Sequence, residues 1–266
     1  MRWVVTLSGN GRDAERLAAD LPNLSPVPNA PRELLLELDD PEGDATGDDA
    51  GHAAKAVIDA TVKRINGFGR LRWGRAFGGV SVSKTMTIDD EGRKAQRVFA
   101  EPAYDHMLPE DYADMVERLG HPRPELPAGL DVINALEGEA VTTLAATNPE
   151  VARVLHLVDL MLEGDDEIDW VAGNSALEVI EHVLHSRGLK GPTLGWWTKK
   201  ERENFAATAN SVEALGYSAR HGRPSGLPTA RMTSKEASWF IRRAAALWVT
   251  YLLEEGRNPA ESGPTV

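Results

Sequence analysis

Residues 216–224 place an aromatic ring, two guanidinium groups and an imidazole in one short polar stretch: Tyr217, Arg220, His221 and Arg223. An arginine can bind a phosphate through two hydrogen bonds, and a histidine can move protons near neutral pH. Arg220 and His221 could therefore cleave RNA without a metal ion, with the histidine as acid or base and the arginine stabilising the developing phosphorane charge. A structural interpretation is also open, in which Arg220 pairs with a carboxylate and His221 caps the end of a helix.

The charge around this loop opposes that of the rest of the chain. Residues 187–243 carry eleven basic and four acidic side chains, a net +7, although the whole chain of 266 residues has a net charge of −12. Such asymmetry indicates a polyanion or an acidic partner. The sequence predicts a nucleic-acid interface made of Lys199, Lys200, Arg202, Tyr217, Arg220 and Arg223.

A second polar cluster has the spacing of one helix face. Glu178, Glu181, His182 and His185 recur at intervals that return to the same side of a helix. A carboxylate with two histidines could bind a divalent cation. The polar face of an ordinary amphipathic helix is the favoured interpretation, and no metal site is predicted here.

Two adjacent tryptophans, Trp196 and Trp197, precede a basic helix start. Beside Lys199 and Lys200 they could stack on the bases of single-stranded nucleic acid. The favoured alternative is a hydrophobic staple, in which Trp197 packs onto the first turns of the following helix.

Composition narrows the remaining classes of function. The chain has no cysteine, which excludes disulfides, thiolate catalysis and cysteine-ligated zinc. The apolar run at the start of the sequence is too short for a secretory signal. The apolar run Ala244–Leu253 is about half the length of a membrane span. Gly9-Asn10-Gly11 lacks the other residues of a phosphate-binding loop. We expect a cytoplasmic protein without a cofactor or a membrane segment.

The first hundred residues predict a small α+β domain. Period-two and apolar runs predict strands, and 3.6-residue periodicity predicts helices. The expected strands are Trp3–Leu7, Glu33–Leu38, Val80–Ile88 and Gln96–Ala100, the last two forming a hairpin. The expected helices are Arg12–Leu21 and Ala53–Ile65, the second ended by Asn66-Gly67.

Residues 101–129 are rich in proline and predict a linker, with a short helix near Glu110–Leu119. Residues 130–255 predict a bundle of four to five helices, and residues 256–266 a disordered tail. Start signals in the bundle are Asn148-Pro149-Glu150 and capping boxes at Thr198–Glu201 and Thr233–Glu236. The first of these helices begins at Pro149, and a second covers Ile168–Arg187. A third begins at the first capping box and ends at about Val212, and the last begins at the second capping box and ends at Glu254 or Glu255.

The helical half resembles the HEPN superfamily, a nucleotide-binding helical domain of prokaryotes and higher eukaryotes. The residues that carry the resemblance are Asp169-Trp170, Leu177–Glu181, Phe205–Asn210, Ala219–Gly222, Met232-Thr233, Glu236-Ala237 and Trp248. The resemblance implies a bundle that is often dimeric and, in many members, a metal-independent ribonuclease at the dimer interface. Those members separate the arginine and histidine by several positions, whereas Arg220 and His221 are adjacent.

The sequence thus predicts an α+β protein whose helical domain binds RNA or an acidic partner, in stress response or defence. Two alternatives stay open. One is a metal-independent ribonuclease that uses Arg220 and His221. The other is a non-catalytic scaffold that forms a homodimer through its helices.

Overall fold

The computed structural model describes residues 2–39, 48–89, 91–97, 130–163, 168–215, 219 and 230–257. Its contacts divide the chain into two units, Met1–Ile65 with Ala76–Pro127 and Asn66–Arg75 with Ala128–Val266. The N-terminal unit holds an antiparallel sheet, and the C-terminal unit is helical, which confirms the predicted α+β class. The predicted linker, residues 101–129, lies wholly outside the described residues, as does the predicted tail after residue 257.

The N-terminal unit is built on a five-stranded sheet in the order β2-β3-β1-β4-β5, with every neighbouring pair antiparallel. Its elements are β1 (Arg2–Gly9), α1 (Gly11–Asp20), β2 (Leu24–Val27), β3 (Ala30–Asp39), β4 (Val80–Ile88) and β5 (Lys94–Arg97). The central strand β1 is buried continuously from Trp3 to Leu7, as expected for a strand covered on both faces. The strands predicted around β1, β3 and β4, and the β4–β5 hairpin, are confirmed.

Strand β2 was not predicted from the sequence. It is four residues long and contains Pro26, which weakens any strand signal. A proline cannot donate to a ladder but is tolerated on an edge strand, and β2 lies at the edge of this sheet. The turn into β3 places Asn29 at φ 63°, a left-handed conformation that asparagine adopts more readily than most residues.

Helix α1 starts one residue after β1, at the Gly9-Asn10-Gly11 segment. The Asn10 side chain accepts a hydrogen bond from the Asp13 amide at 2.8 Å and so caps the helix. The buried carboxylate of Asp13 accepts from the Gly78 amide at 2.7 Å, which ties α1 to the segment before β4. An acidic residue in the first turn of a helix is usually exposed. Asp13 is instead buried, and its carboxylate holds the segment that precedes β4.

Helix α2 (Asp48–Trp73) corrects one prediction. The sequence placed its end at Asn66-Gly67, but the helix continues through Gly67 to Trp73. Gly67 is buried, and a Cβ atom there would lie 2.6 Å from the carbonyl oxygen of Leu155. This glycine is a close-approach site between helices and not a helix end.

The C-terminal unit contains the last turns of α2 and seven further helices among the described residues. These are α3 (Leu130–Ala135), α4 (Gly138–Thr147), α5 (Pro149–Leu162), α6 (Trp170–Ser186), α7 (Lys199–Ala209), α8 (Val212–Leu215) and α9 (Ser234–Arg257). Five of the seven, α4, α5, α6, α7 and α9, have ten or more residues, which agrees with the predicted four to five helices. Within the described ranges, no helix combines the length and the apolarity needed to cross a membrane.

The predicted helix starts are confirmed in their hydrogen bonds. The Asn148 side chain accepts from the Val151 amide, and Thr198 and Glu201 form a reciprocal capping box. Thr233 and Glu236 form the same pair of hydrogen bonds at the start of α9. Helix α7 ends at Ala209, earlier than predicted, and α9 continues to Arg257.

Two arginines link three helices of this unit through backbone carbonyls. Arg242 of α9 donates to the carbonyls of Leu71 at 3.0 Å and Arg72 at 2.8 Å, at the end of α2. Arg72 in turn donates to the carbonyl of Ile133 at 2.6 Å, at the end of α3. Both guanidinium groups satisfy carbonyls that a helix leaves without an intrahelical partner.

Candidate nucleic-acid interface

The structure positions three of the predicted interface residues. Lys199, Lys200 and Arg202 lie in the first turns of α7. Tyr217, Arg220, His221 and Arg223 lie outside the described residues, so the proposed catalytic pair stays a prediction.

The start of α7 is fixed by its capping box. Glu201 accepts from the backbone amide of Thr198 at 2.7 Å, and Thr198 accepts from the amide of Glu201 at 3.1 Å. Arg243 of α9 donates to the other oxygen of Glu201 at 2.7 Å. Burial by itself would raise the pKa of Glu201, but the hydrogen bonds from Thr198 and Arg243 outweigh it and hold that pKa below its ordinary value. Glu201 is therefore charged and joins α7 to α9.

Arg202 forms an ion pair with a carboxylate of α6. Its guanidinium donates to both oxygens of Glu181, at 2.7 and 3.0 Å, in the two-point geometry of a strong ion pair. Glu181 is also one of the four residues of the possible metal cluster. Among the described residues, no group of three or more histidine, aspartate or glutamate side chains is placed to hold a metal ion.

Other cations of the basic segment are also paired or buried. Arg187 forms an ion pair with Glu255 and lies over the ring of Tyr251, 5.8 Å from its centroid. Lys199 lies 3.5 Å from Glu203, with both side chains largely exposed. Burial lowers the pKa of Arg242 to about 10, and Arg243 is held by Glu201. Within the part of this segment that the structure describes, the basic side chains thus do not form one uniform face.

The exposed cations of the described basic segment concentrate in a short run that extends from the C-cap of α6 into the first turn of α7. Residues 187–200 contain four basic side chains, Arg187, Lys190, Lys199 and Lys200, and no acidic one. Lys190, Lys199 and Lys200 are exposed, and neither Lys190 nor Lys200 forms an ion pair with any residue that the structure describes. We call residues 187–200 the α6–α7 surface. Two further exposed cations, Arg231 and Lys235, lie at the start of α9.

The backbone of the α6–α7 surface is shaped by its glycines. Gly188 has φ 71° and ends α6, as the sequence predicted, and Gly195 has φ 72°. Gly191 is needed for a different reason, because a Cβ atom there would come 2.1 Å from the ring of Trp197. These positions hold the run in a defined turn before the capping box.

The two tryptophans of this surface have different environments. Trp197 is buried, and its ring lies against Gly191 and 6.2 Å from Phe240. The residue that a staple would pair with Trp197 is Arg202, whose guanidinium binds Glu181, and the staple itself stays a prediction. Trp196 is only half-buried, with its ring 5.9 Å from Tyr251 in an edge contact.

Comparison with protein-family models, curated proteins and solved structures finds no match to this chain. The resemblance to HEPN helical domains stays a prediction from sequence motifs. The features that sequence reasoning missed are the partners: Glu181 for Arg202, Glu201 for Arg243 and Glu255 for Arg187. Each joins residues of different helices, and no local spacing signals it.

Proposed function

We propose that the C-terminal unit binds RNA through the α6–α7 surface. The observation that carries the proposal is the run of four cations without an acidic residue from Arg187 to Lys200, which extends from the C-cap of α6 into the first turn of α7 and is exposed at its lysines. When protein cations of this kind neutralise nucleic-acid phosphates, condensed counterions are released, and this release supplies most of the free energy of sequence-independent binding.

The negative net charge of the chain does not oppose binding at this surface. Charges beyond the screening length of about 10 Å contribute little at about 0.1 M salt. Among the described residues, two carboxylates form direct ion pairs with cations of this surface, Glu203 with Lys199 and Glu255 with Arg187. An RNA phosphate competes with these pairs more than with carboxylates beyond the screening length.

The nearby ion pairs differ in how readily they exchange for a phosphate. The Lys199–Glu203 pair is largely exposed, and such surface pairs contribute about 0–1 kcal/mol. Arg202 and Arg243 are less exposed and hold their glutamates at 2.7 Å or slightly more. The Arg187–Glu255 pair is intermediate, with both side chains 33% exposed. We assign the phosphate contacts to Lys190, Lys199 and Lys200 together with Arg187, and a structural role to the less exposed Arg202 and Arg243.

Charge reversal tests this assignment. The variant Lys190→Glu/Lys199→Glu/Lys200→Glu changes the α6–α7 surface, whereas Lys63→Glu/Lys84→Glu/Lys94→Glu changes the net charge equally at exposed lysines of the N-terminal unit. Glutamate at the first two positions of α7 also interacts favourably with the helix dipole, so we expect the variant to fold.

The measurement is titration of a fluorescent oligouridylate at constant salt, with circular dichroism of every variant. We expect the surface variant to lose about tenfold or more in affinity and the control to stay within about twofold of the unchanged protein. Equal losses in both variants, or no binding by the unchanged protein, would show that this surface is not an RNA site.

A further inference from the structure

We infer that Trp196 stacks on an unpaired base, so that the α6–α7 surface prefers single-stranded to double-stranded RNA. This inference rests on the proposed function and adds the class of nucleic acid. Trp196 lies within the acid-free run, close in sequence to Lys190, Lys199 and Lys200. A stacking ring among phosphate-binding cations is the usual combination in proteins that hold single strands.

The structure separates the roles of the two tryptophans. Trp197 is 3% exposed and lies on Gly191, so its ring belongs to the core. Trp196 is half-buried, so part of the residue remains accessible to solvent. Of the two, Trp196 is therefore the ring that can meet a base.

The Trp196 ring is held before any ligand arrives. Its edge contact with Tyr251 has an interplanar angle of 61°, and its ring centroid lies 6.2 Å from that of Trp197. The Trp196 amide also donates to the carbonyl of Gly191 at 3.0 Å. A ring that is already ordered loses little conformational entropy on binding, which favours its use as a stacking platform.

A cation accompanies the aromatic pair. Arg187 lies over the other ring of the pair, Tyr251, and its ion pair with Glu255 is partly exposed. Tyr251 therefore contacts both the Arg187 guanidinium and the Trp196 ring. A cation next to such an aromatic pair can bind the phosphate that adjoins a stacked base.

Duplex RNA would use the same surface differently. Its bases are stacked inside the helix, so only phosphates and 2′-hydroxyls reach the lysines. Loss of the Trp196 ring should then weaken single strands and leave duplex binding unchanged. If Trp196 only packs against Tyr251, its replacement lowers stability without altering the ratio of the two affinities.

The test compares Trp196→Leu, which keeps apolar volume but removes the stacking plane, with Trp196→Phe, which keeps a ring. The matched control is Trp239→Leu, because Trp239 is also half-buried but lies outside residues 187–200. The probes are an oligouridylate and an RNA duplex with the same number of phosphates. Dissociation constants for both are measured at one salt concentration, and thermal unfolding is recorded for every variant.

We expect Trp196→Leu to weaken oligouridylate binding about tenfold and duplex binding by less than about twofold. Trp196→Phe should recover most of the loss, and Trp239→Leu should not change the ratio. An unchanged ratio in Trp196→Leu, with both probes still bound, overturns the stacking role and leaves the cationic surface intact. If the unchanged protein binds neither probe, the proposed function and this inference fall together.

Discussion

Gly67 of α2 lies against the backbone of Leu155 of α5, so closely that a Cβ atom on Gly67 would sit 2.6 Å from the Leu155 carbonyl oxygen and 2.7 Å from its carbonyl carbon. Backbone atoms cannot rotate away as a side chain can. The absence of a side chain at residue 67 therefore sets how near these two helices approach, and it explains a glycine inside a helix, where it costs about 1 kcal/mol relative to alanine.

Alanine at this position should destabilise the protein. We expect Gly67→Ala to lower the free energy of unfolding by about 1–3 kcal/mol, because overpacking outweighs the gain in helix propensity. The control is Gly256→Ala in α9, where an added Cβ meets nothing within 4 Å. That variant should be unchanged or stabilised by up to about 1 kcal/mol. Urea unfolding measures both, and the same sign of effect in the two variants contradicts the close approach.

Removal of Arg242 should leave two helix-end carbonyls without a partner. We expect Arg242→Met to lose about 2–4 kcal/mol of stability, because buried acceptors of hydrogen bonds are costly to leave unpaired. Arg242→Lys should recover only part of this loss, since one ammonium lacks the planar fork of the guanidinium. The exposed Arg231→Met serves as control and should change stability by less than about 0.5 kcal/mol. Comparable melting temperatures for Arg242→Met and Arg231→Met would refute the capping role.

Asp159 should give the C-terminal unit a measurable pH dependence. Burial raises the pKa of this carboxyl to about 6 from its ordinary value of 3.8, Arg70 at 3.5 Å opposes the shift, and Glu163 adds to it. Between these two pH values the folded state binds a proton that the unfolded state does not. The stabilising contribution is therefore complete below about pH 4 and is lost as the pH rises through about 6.

Asp159→Asn isolates that contribution. The free energy of unfolding of the unchanged protein, minus that of the variant, should fall by up to about 3 kcal/mol from pH 4 to pH 7. Glu150→Gln removes an exposed carboxylate from the same helix and is the control for charge alone. A difference that is constant with pH, or one that grows as the pH rises, contradicts the shifted carboxyl.

The helix starts could be predicted because their signals are local. Asn148, Thr198 and Thr233 each bond to a backbone amide three positions along, so residue types at fixed spacing are sufficient. The role of Gly67 could not be predicted, because it depends on Leu155 in another helix. A glycine that ends a helix and one that admits a neighbour look alike in sequence.

The candidate site was predictable only in outline. The basic segment is visible in composition, but which cations remain exposed depends on glutamates in other helices, as with Arg202 and Glu181. The different environments of Trp196 and Trp197 depend on residues that are distant from them or not signalled by the sequence pattern. Tyr251 contacts the Trp196 ring, and Gly191 contacts the Trp197 ring. Among the described residues, pairing and burial in three dimensions therefore remove Arg202, Arg242 and Arg243 from the candidate surface.

The salt dependence of RNA binding tests the central claim most directly. With phosphate contacts from Arg187, Lys190, Lys199 and Lys200, the logarithm of the association constant for oligouridylate should fall linearly with the logarithm of salt concentration, with a slope of about −2 to −3. Lys190→Glu/Lys199→Glu/Lys200→Glu should bring that slope close to zero. A flat response in the unchanged protein, or an equally steep one in the variant, would contradict RNA binding at this surface.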